Sequence, residues 1–442
     1  MVSVTDNRAA VAYARFGLGR RADEPAHGDD AYIRLLQEVN DGAAAEPGGL
    51  PTYTQLHDEL AAYNLARHNA TPDTLPAAPI MARYLAELDA RYNGTMMEAD
   101  TGLTERLVMF WANHFAVSRD KSGLTAITAG AYEREAIRPF VYGRFFDMLL
   151  AVETHPTMVN YLDNQKSVGP QSFLGRHRGA GLNENLAREI MELHTLGVRS
   201  GYSQADVTAF ARVLTGWTLD PDASSTFTFD PRRHEPGAQT IMGRTYDDDG
   251  FMQGAHVLRD LASSPLTARH IAFKLAHHFI SDTPPPALVD RLTQAFLDTQ
   301  GDLRAVTRIL VQSDEALAMP QQKLRLPQVY VSALQRSLGQ RLDPQLIHTS
   351  LVRMGQPLWS PGAPAGFSDA VNIWASPVSL AERFALANKL ARTPDGPSDP
   401  RAFAETALAG SLTDTTRAGI AHAETRPQGL ALTFLSPEFM RC

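Results

Sequence analysis

Residues 183–197 read NENLAREIMELHTLG, and this stretch predicts both the type of fold and the place of a site. Asn183 is a residue that caps helix N-termini well, and Gly197 is one that ends helices in a left-handed conformation. Between them, apolar side chains recur at the spacing of one helix face: Leu186, Ile190 and Leu193. The pattern predicts one amphipathic helix whose apolar face packs on a core.

The same periodicity runs through most of the chain, and the intervening residues are mainly good helix formers. Ser203 followed by Asp206 matches the capping-box signature of a helix start. One short alternating patch begins at Thr226 and is typical of a strand. The sequence therefore predicts an all-α protein of many helices, with at most a small β-hairpin near residues 226–246.

The breaks between the predicted helices are rich in Pro and Gly, and none is long enough for an interdomain linker. We therefore expect residues 103–442 to form a main helical domain that carries the motifs described below. We expect residues 1–102 to form an N-terminal helical segment that packs on this domain.

Composition excludes several classes of function. The 442 residues include 41 Lys and Arg against 49 Asp and Glu, a net charge of -8, which does not favour nucleic acid as a partner. Cys442 is the single cysteine, so a disulfide within the chain and a Cys-based metal cluster are excluded. No apolar run approaches the roughly 20 residues of a membrane span, and no signal peptide is visible. As written, the chain is predicted to be cytoplasmic, with Cys442 structurally idle at its end.

The familiar signatures of cofactor and metal sites are absent from the sequence. The dipeptide Gly-Lys never occurs, which excludes a phosphate-binding P-loop, and there is no His-Glu-x-x-His zinc motif. Gly17-Leu18-Gly19 lacks the third glycine of a dinucleotide-binding fingerprint. We therefore predict no cofactor and no metal ligand.

The helix of residues 183–197 has a polar face opposite its apolar one. Its members are Glu184, Asn185, Arg188, Glu189 and Glu192. One interpretation is a solvated face with weak i,i+4 ion pairs, each worth about 0.2–0.5 kcal/mol. The other is a cleft, in which repulsion between two buried carboxylates raises the pKa of one of them and prepares it for acid–base chemistry.

Five other residues are candidates, and each has a structural interpretation beside the functional one. Asp163 is predicted to lie in a loop, where a carboxylate is either solvated or part of a site. Trp217 follows a predicted helix end, where an indole serves equally as a core residue or as a platform for a ligand. His194 lies near the end of the Glu-rich helix, and His234 lies in a polar turn. Trp374 belongs to an aromatic loop rich in Pro and Gly, which is typical of a pocket wall.

At these residues the sequence resembles the bacterial family called domain of unknown function 1800, over nearly the whole chain. The similarity lies in a series of ordered motifs: residues 13–19 (YARFGLG), 110–115 (FWANHF), 160–163 (NYLD), 183–197, 201–207 (GYSQADV), 214–217 (LTGW), 234–237 (HEPG), 354–358 (MGQPL) and 435–439 (LSPEF). The resemblance implies no established activity. Many members look exported and accompany a secreted phosphatase-like or sulfatase-like family in the genome, which implies the product of such a neighbouring gene as a partner. The chain departs from the family at Gln239, where many members have Lys.

Three hypotheses about function fit these residues. The first is a hydrolase with a carboxylate-lined cleft, acting on a carbohydrate or polysaccharide, in which two carboxyl groups share the acid and base roles. The second is a metal-assisted hydrolase that uses His114, His194 or His234 together with carboxylates. The third is a non-catalytic cell-surface or assembly factor.

For the first hypothesis, Glu189 and Glu192 come from one wall, so a second wall has to supply Asp163 or Glu235. We predict the catalytic residues to be Glu184, Glu189, Glu192 and Asp163. We predict that a glycan or another polar substrate is bound by Asn183, Asn185, Arg188, His194, Trp217, His234 and Trp374.

Overall fold

A computed structural model describes residues 8–24, 29–71, 74–178, 181–198, 200–318, 321–408 and 410–442. Within them most of the chain is helical, and strand is confined to two short hairpins, so the prediction of an all-α protein is confirmed. The first α-helices are α1 (Asp29–Asp41), α2 (Tyr53–Asn69), α3 (Pro79–Asp89), α4 (Met96–Glu98), α5 (Leu103–His114), α6 (Gly123–Tyr132), α7 (Phe145–Thr154) and α8 (Pro156–Tyr161).

The middle of the chain carries the Glu-rich stretch and the helices around it. These are α9 (Phe173–Arg178), α10 (Asn185–Glu189), α11 (Gln204–Val213), α12 (Phe251–Ser263), α13 (Pro265–Phe279), α14 (Pro286–Asp298), α15 (Leu303–Gln312) and α16 (Asp314–Ala318). The last helices are α17 (Pro327–Leu338), α18 (Pro344–Arg353), α19 (Val371–Trp374), α20 (Pro377–Ala391), α21 (Pro400–Ala407), α22 (Asp414–Ala421), α23 (Arg426–Phe434) and α24 (Pro437–Met440).

Helices of other types interrupt this series. Within the described ranges, the 3₁₀-helices are Arg138–Phe140 and Asn164–Lys166, and the π-helical turns are Val11–Phe16, Ala90–Thr95, Glu133–Ile137 and Ile190–His194. A π-turn adds one residue to a helical turn, so every side chain beyond it faces a different direction from that expected for a continuous α-helix.

The strands form two antiparallel hairpins, one more than the sequence predicts. Strand β1 (Trp217–Asp220) pairs with β2 (Thr226–Phe229), and β3 (Gln239–Ile241) pairs with β4 (Arg244–Tyr246). The second hairpin closes through Met242 and Gly243, whose φ angles are +48° and +80°. Two consecutive positive φ angles make the tight turn whose twist matches that of paired strands.

Two large cores hold the helices together. The first is built from residues 9–39 and 103–316, and the second mainly from residues 84–96 and 329–439. A small third cluster joins α2 to α6. Residues on both sides of residue 102 contribute to both large cores. The division of the chain at residue 102 stays a prediction.

Candidate functional site

The Glu-rich helix begins at Asn185, two residues later than the cap that the sequence indicates. The side-chain oxygen of Asn183 nevertheless accepts a hydrogen bond of 2.9 Å from the backbone N–H of Asn185. The Asn183 amide also donates 3.2 Å to the backbone oxygen of Asp163. Asn183 therefore satisfies a free N–H at the helix start and ties that start to the loop before it. The side chain of Asn185 is exposed.

The second half of this helix is a π-turn, Ile190–His194, and the turn changes which side chains are buried. Met191 and His194 are fully buried, whereas Leu193 is partly exposed. This differs from the apolar face predicted for a regular helix, because the extra residue of the π-turn rotates the following side chains. The chain then turns at Gly197, whose φ is +90° and where a Cβ atom would lie 2.9 Å from Nδ1 of His270.

Glu184 belongs to a surface network. Its carboxylate accepts hydrogen bonds from the Thr208 hydroxyl at 2.6 Å and the Gln204 amide at 2.8 Å, and it pairs with Arg188 at 3.0 Å. The Thr208 hydroxyl, then the Gln204 amide and Arg188, lower the pKa of Glu184. Because its carboxylate oxygens already accept these hydrogen bonds, Glu184 is better suited to fixing the Glu-rich helix against α11 than to transferring protons.

The carboxylate of Asp163 also has partners, which are two lysines. Its backbone is left-handed, with φ of +58°, and its two carboxylate oxygens lie 2.5 Å from Nζ of Lys121 and 2.8 Å from Nζ of Lys166. Partial burial alone would raise the pKa of Asp163, but hydrogen bonds from these two lysines lower it. Asp163 is thus an ion-paired loop residue beside the helix start.

Glu189 and Glu192 have a different environment. Both are partly buried, and neither has an ion-pair partner within the part of the chain that the structure describes. Burial raises the pKa of Glu189, and the charges of Glu192 and Glu153 raise it further, while His194 and Arg188 oppose them. Of the four predicted carboxylates, Glu189 is therefore the one that favours the protonated form.

Two tyrosines stand beside this pair of carboxylates. Burial raises the pKa of Tyr161 to about 12, and the nearby charge of Glu189 contributes. Tyr202 is partly exposed, and burial followed by the charge of Glu192 raises its pKa. Tyr161 ends α8, so this helix comes near Glu189, but it does not supply the second carboxylate that we expected from Asp163 or Glu235. The Glu235 carboxylate instead accepts 2.7 Å from the backbone N–H of Gln171.

Beneath Glu189 lies a buried histidine and glutamate pair. His194 Nδ1 is 2.7 Å from Glu153 Oε1, and the two side chains are 1% and 0% exposed. Because a carboxylate can only accept, Nδ1 carries the proton when the ring is neutral, and Nε2 then bears the lone pair. His194 Nε2 and Glu153 Oε2 have no hydrogen-bond partner among the described residues. Full burial prevents His194 from touching a substrate directly.

The remaining predicted ligand contacts lie in the interior. Trp217 is fully buried and stacks on Phe251 with ring centroids 5.1 Å apart, so neither face is open to a sugar. His234 Nδ1 donates 2.8 Å to the backbone oxygen of Thr215, and its Nε2 is 3.3 Å from Asp248 Oδ1. Trp374 is 3% exposed and donates its indole N–H to the backbone oxygen of Ser368.

A buried ionic network that the sequence did not indicate joins several helices. Glu133 bonds to Arg91 and accepts 3.0 Å from the indole N–H of Trp359. Arg138 donates to both oxygens of Glu105 at 2.5 and 2.9 Å. Arg91 and Glu133 also line a cavity of about 40 Å³, which is room for a few water molecules. Such fully paired charges are ordinary structural elements of an interior.

A carboxylate-lined cleft of about 500 Å³ exists, but its acidic residues are not those predicted. They are Glu38, Glu46, Glu98, Asp100 and Glu105. Four of these carboxylates already have partners. Glu105 binds Arg138, and Glu38 accepts from the Thr104 N–H and the Thr101 hydroxyl. Asp100 lies 3.2 Å from Arg34, and Glu98 lies 3.8 Å from Arg341. The cleft therefore offers an acidic wall without a free acid–base pair.

Two properties of the described chain bear on the other hypotheses. Nowhere in the described ranges do three or more His, Cys, Asp or Glu side chains come together as a metal site would require. His114 in particular has both ring nitrogens engaged, by the backbone oxygen of His194 and by Lys274. No helix of the described residues is both long and apolar enough to cross a bilayer.

Cys442 is buried, and the prediction that it is structurally idle is wrong. Its side chain is 3% exposed, and its backbone N–H donates 2.8 Å to the backbone oxygen of Lys323. Leu324 and Arg441 form an isolated antiparallel bridge next to it. Backbone pairing carries the last residues into the second core, which position in the sequence alone could not reveal.

The fold and the site define a mainly α-helical protein with a π-turned helix that brings two partly buried glutamates over a buried His–Glu pair. The chain belongs to the family described as protein of unknown function (DUF1800), whose model matches residues 11–441. No curated protein and no solved structure matches the chain. The family is thus established by sequence, and function has to be argued from the site itself.

Proposed function

We propose that the protein is a hydrolase that cleaves a glycosidic bond of a carbohydrate, with Glu189 as general acid and Glu192 as the ionised partner. The observation that carries this proposal is the contrast among four neighbouring carboxylates. Glu184 and Asp163 are held by donors and cations, while Glu189 is partly buried, unpaired among the described residues and shifted towards its protonated form.

The chemistry of glycoside hydrolysis requires this asymmetry. One carboxylic acid protonates the oxygen of the leaving group, and a second, ionised carboxylate activates water or attacks the sugar. Burial and the negative neighbours of Glu189 keep a proton on it at a pH where an ordinary glutamate has lost its proton. Glu192, three residues further along the chain, is the second carboxylate in this proposal.

His194 and Glu153 act as positioning residues in this proposal. His194 ends the π-turn and Glu153 lies on α7, and the attraction of His194 opposes the effect of the negative charges on Glu189. The half-exposed ring of Tyr202 beside Glu192 gives a sugar an aromatic surface to pack on. Neither the metal-assisted hypothesis nor the assembly-factor hypothesis has an observation of this kind in its favour.

The experiment is a screen of the purified protein against nitrophenyl glycosides and polysaccharides, followed by three variants on the best substrate. Glu189→Gln and Glu192→Gln should each lower kcat/KM about 100-fold or more, as the loss of a general acid or base does. Glu184→Gln is the matched control on the same stretch, and it should retain activity within about threefold. Equal activity of all four proteins, or no cleavage of any glycoside, would contradict the proposal.

A further inference from the structure

One lysine near the site has surroundings unusual for a cation. Lys274 lies on α13 and is partly buried, with its Nζ 2.9 Å from Nδ1 of His114. No carboxylate oxygen lies within 4.0 Å of this Nζ in the described ranges, whereas Lys121, Lys166 and Lys323 each have one. A buried lysine is ordinarily paired with an acid, so Lys274 is an exception.

The hydrogen-bond pattern fixes the role of the histidine. His114 Nε2 is 3.1 Å from the backbone oxygen of His194, which can only accept, so Nε2 carries the proton. His114 Nδ1 therefore presents its lone pair to Lys274. Burial lowers the pKa of His114 well below its usual range, and the charge of Lys274 lowers it further, so the ring is a neutral acceptor.

The charged and titratable groups around the Lys274 amine are mostly histidines, and they provide little negative charge. Its own helix contributes His270, whose pKa burial and the charge of Lys274 lower to about 4. His277, on the same helix, also has a lowered pKa, chiefly through burial. The nearest opposing charge is Asp369, and its carboxylate is already bonded to Nδ1 of His278 at 2.6 Å. Burial lowers the pKa of Lys274 itself to about 8, and Asp369 only partly offsets this.

We propose that Lys274 is a nucleophilic amine that forms an imine with an aldehyde or ketone, with His114 as the hydrogen-bond acceptor that orients the amine. The amine lone pair attacks the carbonyl carbon, and one N–H proton passes to the carbonyl oxygen to give a neutral carbinolamine. The second N–H proton passes to the same oxygen through water. That oxygen leaves as water, and a C=N bond joins the ligand to Nζ. This inference is independent of the proposed hydrolase activity, because it involves neither Glu189 nor Glu192.

Lys274 is itself partly exposed, and apolar side chains are exposed on the surface around it. Phe273, the preceding residue of the same helix, is 46% exposed, and it stacks on His277 with ring centroids 5.6 Å apart. Val198, just beyond the glycine that packs on His270, is 60% exposed. A carbonyl group with a small apolar substituent is therefore the class of ligand that we expect.

The test is reductive methylation of the full chain with limiting formaldehyde and cyanoborohydride at pH 7, with sites quantified by peptide mass spectrometry. Lys389, which is exposed on α20, is the internal control. An amine with a pKa near 8 is neutral about 200 times more often at pH 7 than an ordinary lysine. Its weaker basicity and partial burial reduce this advantage, so we expect Lys274 to be labelled about tenfold faster than Lys389.

Two further measurements keep the result decisive. Lys274→Arg retains a cation and a donor to His114, so it should fold, lose labelling at position 274 and leave the rate at Lys389 unchanged. Raising the pH from 7 to 9 should accelerate Lys389 more than Lys274, because Lys274 approaches full deprotonation first. Labelling of Lys274 at or below the rate of Lys389 would overturn the inference and leave Lys274 as a structural donor to His114.

Discussion

Removing the Glu153 carboxylate should destabilise the protein far more than removing the Glu184 carboxylate. Glu153→Ala deletes the acceptor of a 2.7 Å bond from His194, and His194 Nε2 already lacks a described partner. An unsatisfied buried polar group costs about 1–3 kcal/mol, and the one methylene removed with the carboxylate adds about 0.8 kcal/mol. The sum, about 2–4 kcal/mol, overlaps the range of about 3–5 kcal/mol that is found when a buried pair loses one partner.

Two control variants separate the charge from the packing. Glu153→Gln keeps the shape and an oxygen that can accept from His194, so it should cost only about 1 kcal/mol. Glu184→Ala removes a carboxylate whose side chain is 29% exposed, and exposed ion pairs are worth about 0–1 kcal/mol. The assay is urea denaturation followed by tryptophan fluorescence, with midpoints compared at a common slope. If Glu153→Ala and Glu184→Ala differ by less than about 1 kcal/mol, the buried His–Glu pair is not as described.

Two other perturbations follow from single residues. The folded-state pKa of Glu189 is raised above its unfolded value, so its stabilising contribution is full below the unfolded pKa and is lost as pH rises through the folded pKa. Glu189→Gln should accordingly melt higher than wild type at pH 7 but not at pH 4, and superimposable melting curves across this range would argue against a partly buried carboxyl. Gly130→Ala should destabilise the fold, because a Cβ atom there would lie 2.4 Å from Cδ of Glu87. The matched variant is Gly419→Ala, because no atom lies within 4 Å of the new methyl group. It should stabilise α22 by about 0.5–1 kcal/mol. If thermal unfolding ranked the two glycine variants the other way, the close contact between Gly130 and Glu87 would be refuted.

Local sequence signals were sufficient for the helices and for the start of the site. Ser203 and Asp206 form the capping box that their spacing predicts. Asn183 accepts a hydrogen bond from the N–H of Asn185, the first residue of the Glu-rich helix, although Glu184 and not Asn183 occupies the cap position. Both signals work because the groups involved are three residues apart or fewer. Hydrogen bonds over such distances depend on the local backbone and need no partner from elsewhere in the chain.

The arrangement of the site depended on residues distant in sequence. Glu153 lies 41 positions from His194, and Lys274 lies 160 positions from His114. Nothing in the spacing of the Glu-rich stretch points to either partner. The sequence indicates only that a histidine within an apolar helix, such as His114, needs a buried hydrogen-bond partner.

The sequence by itself determined that this protein is helical, mildly acidic and a member of its family, because composition, periodicity and ordered motifs are properties of the chain alone. Only the tertiary structure decided which carboxylates are free. Glu184 and Glu189 look alike in sequence, yet Thr208 and Gln204 occupy the first, while burial and negative neighbours shift the second. The physical reason is that the pKa of a carboxyl depends on desolvation and on charges within a few ångströms, and here those surroundings come from helices far apart in the chain.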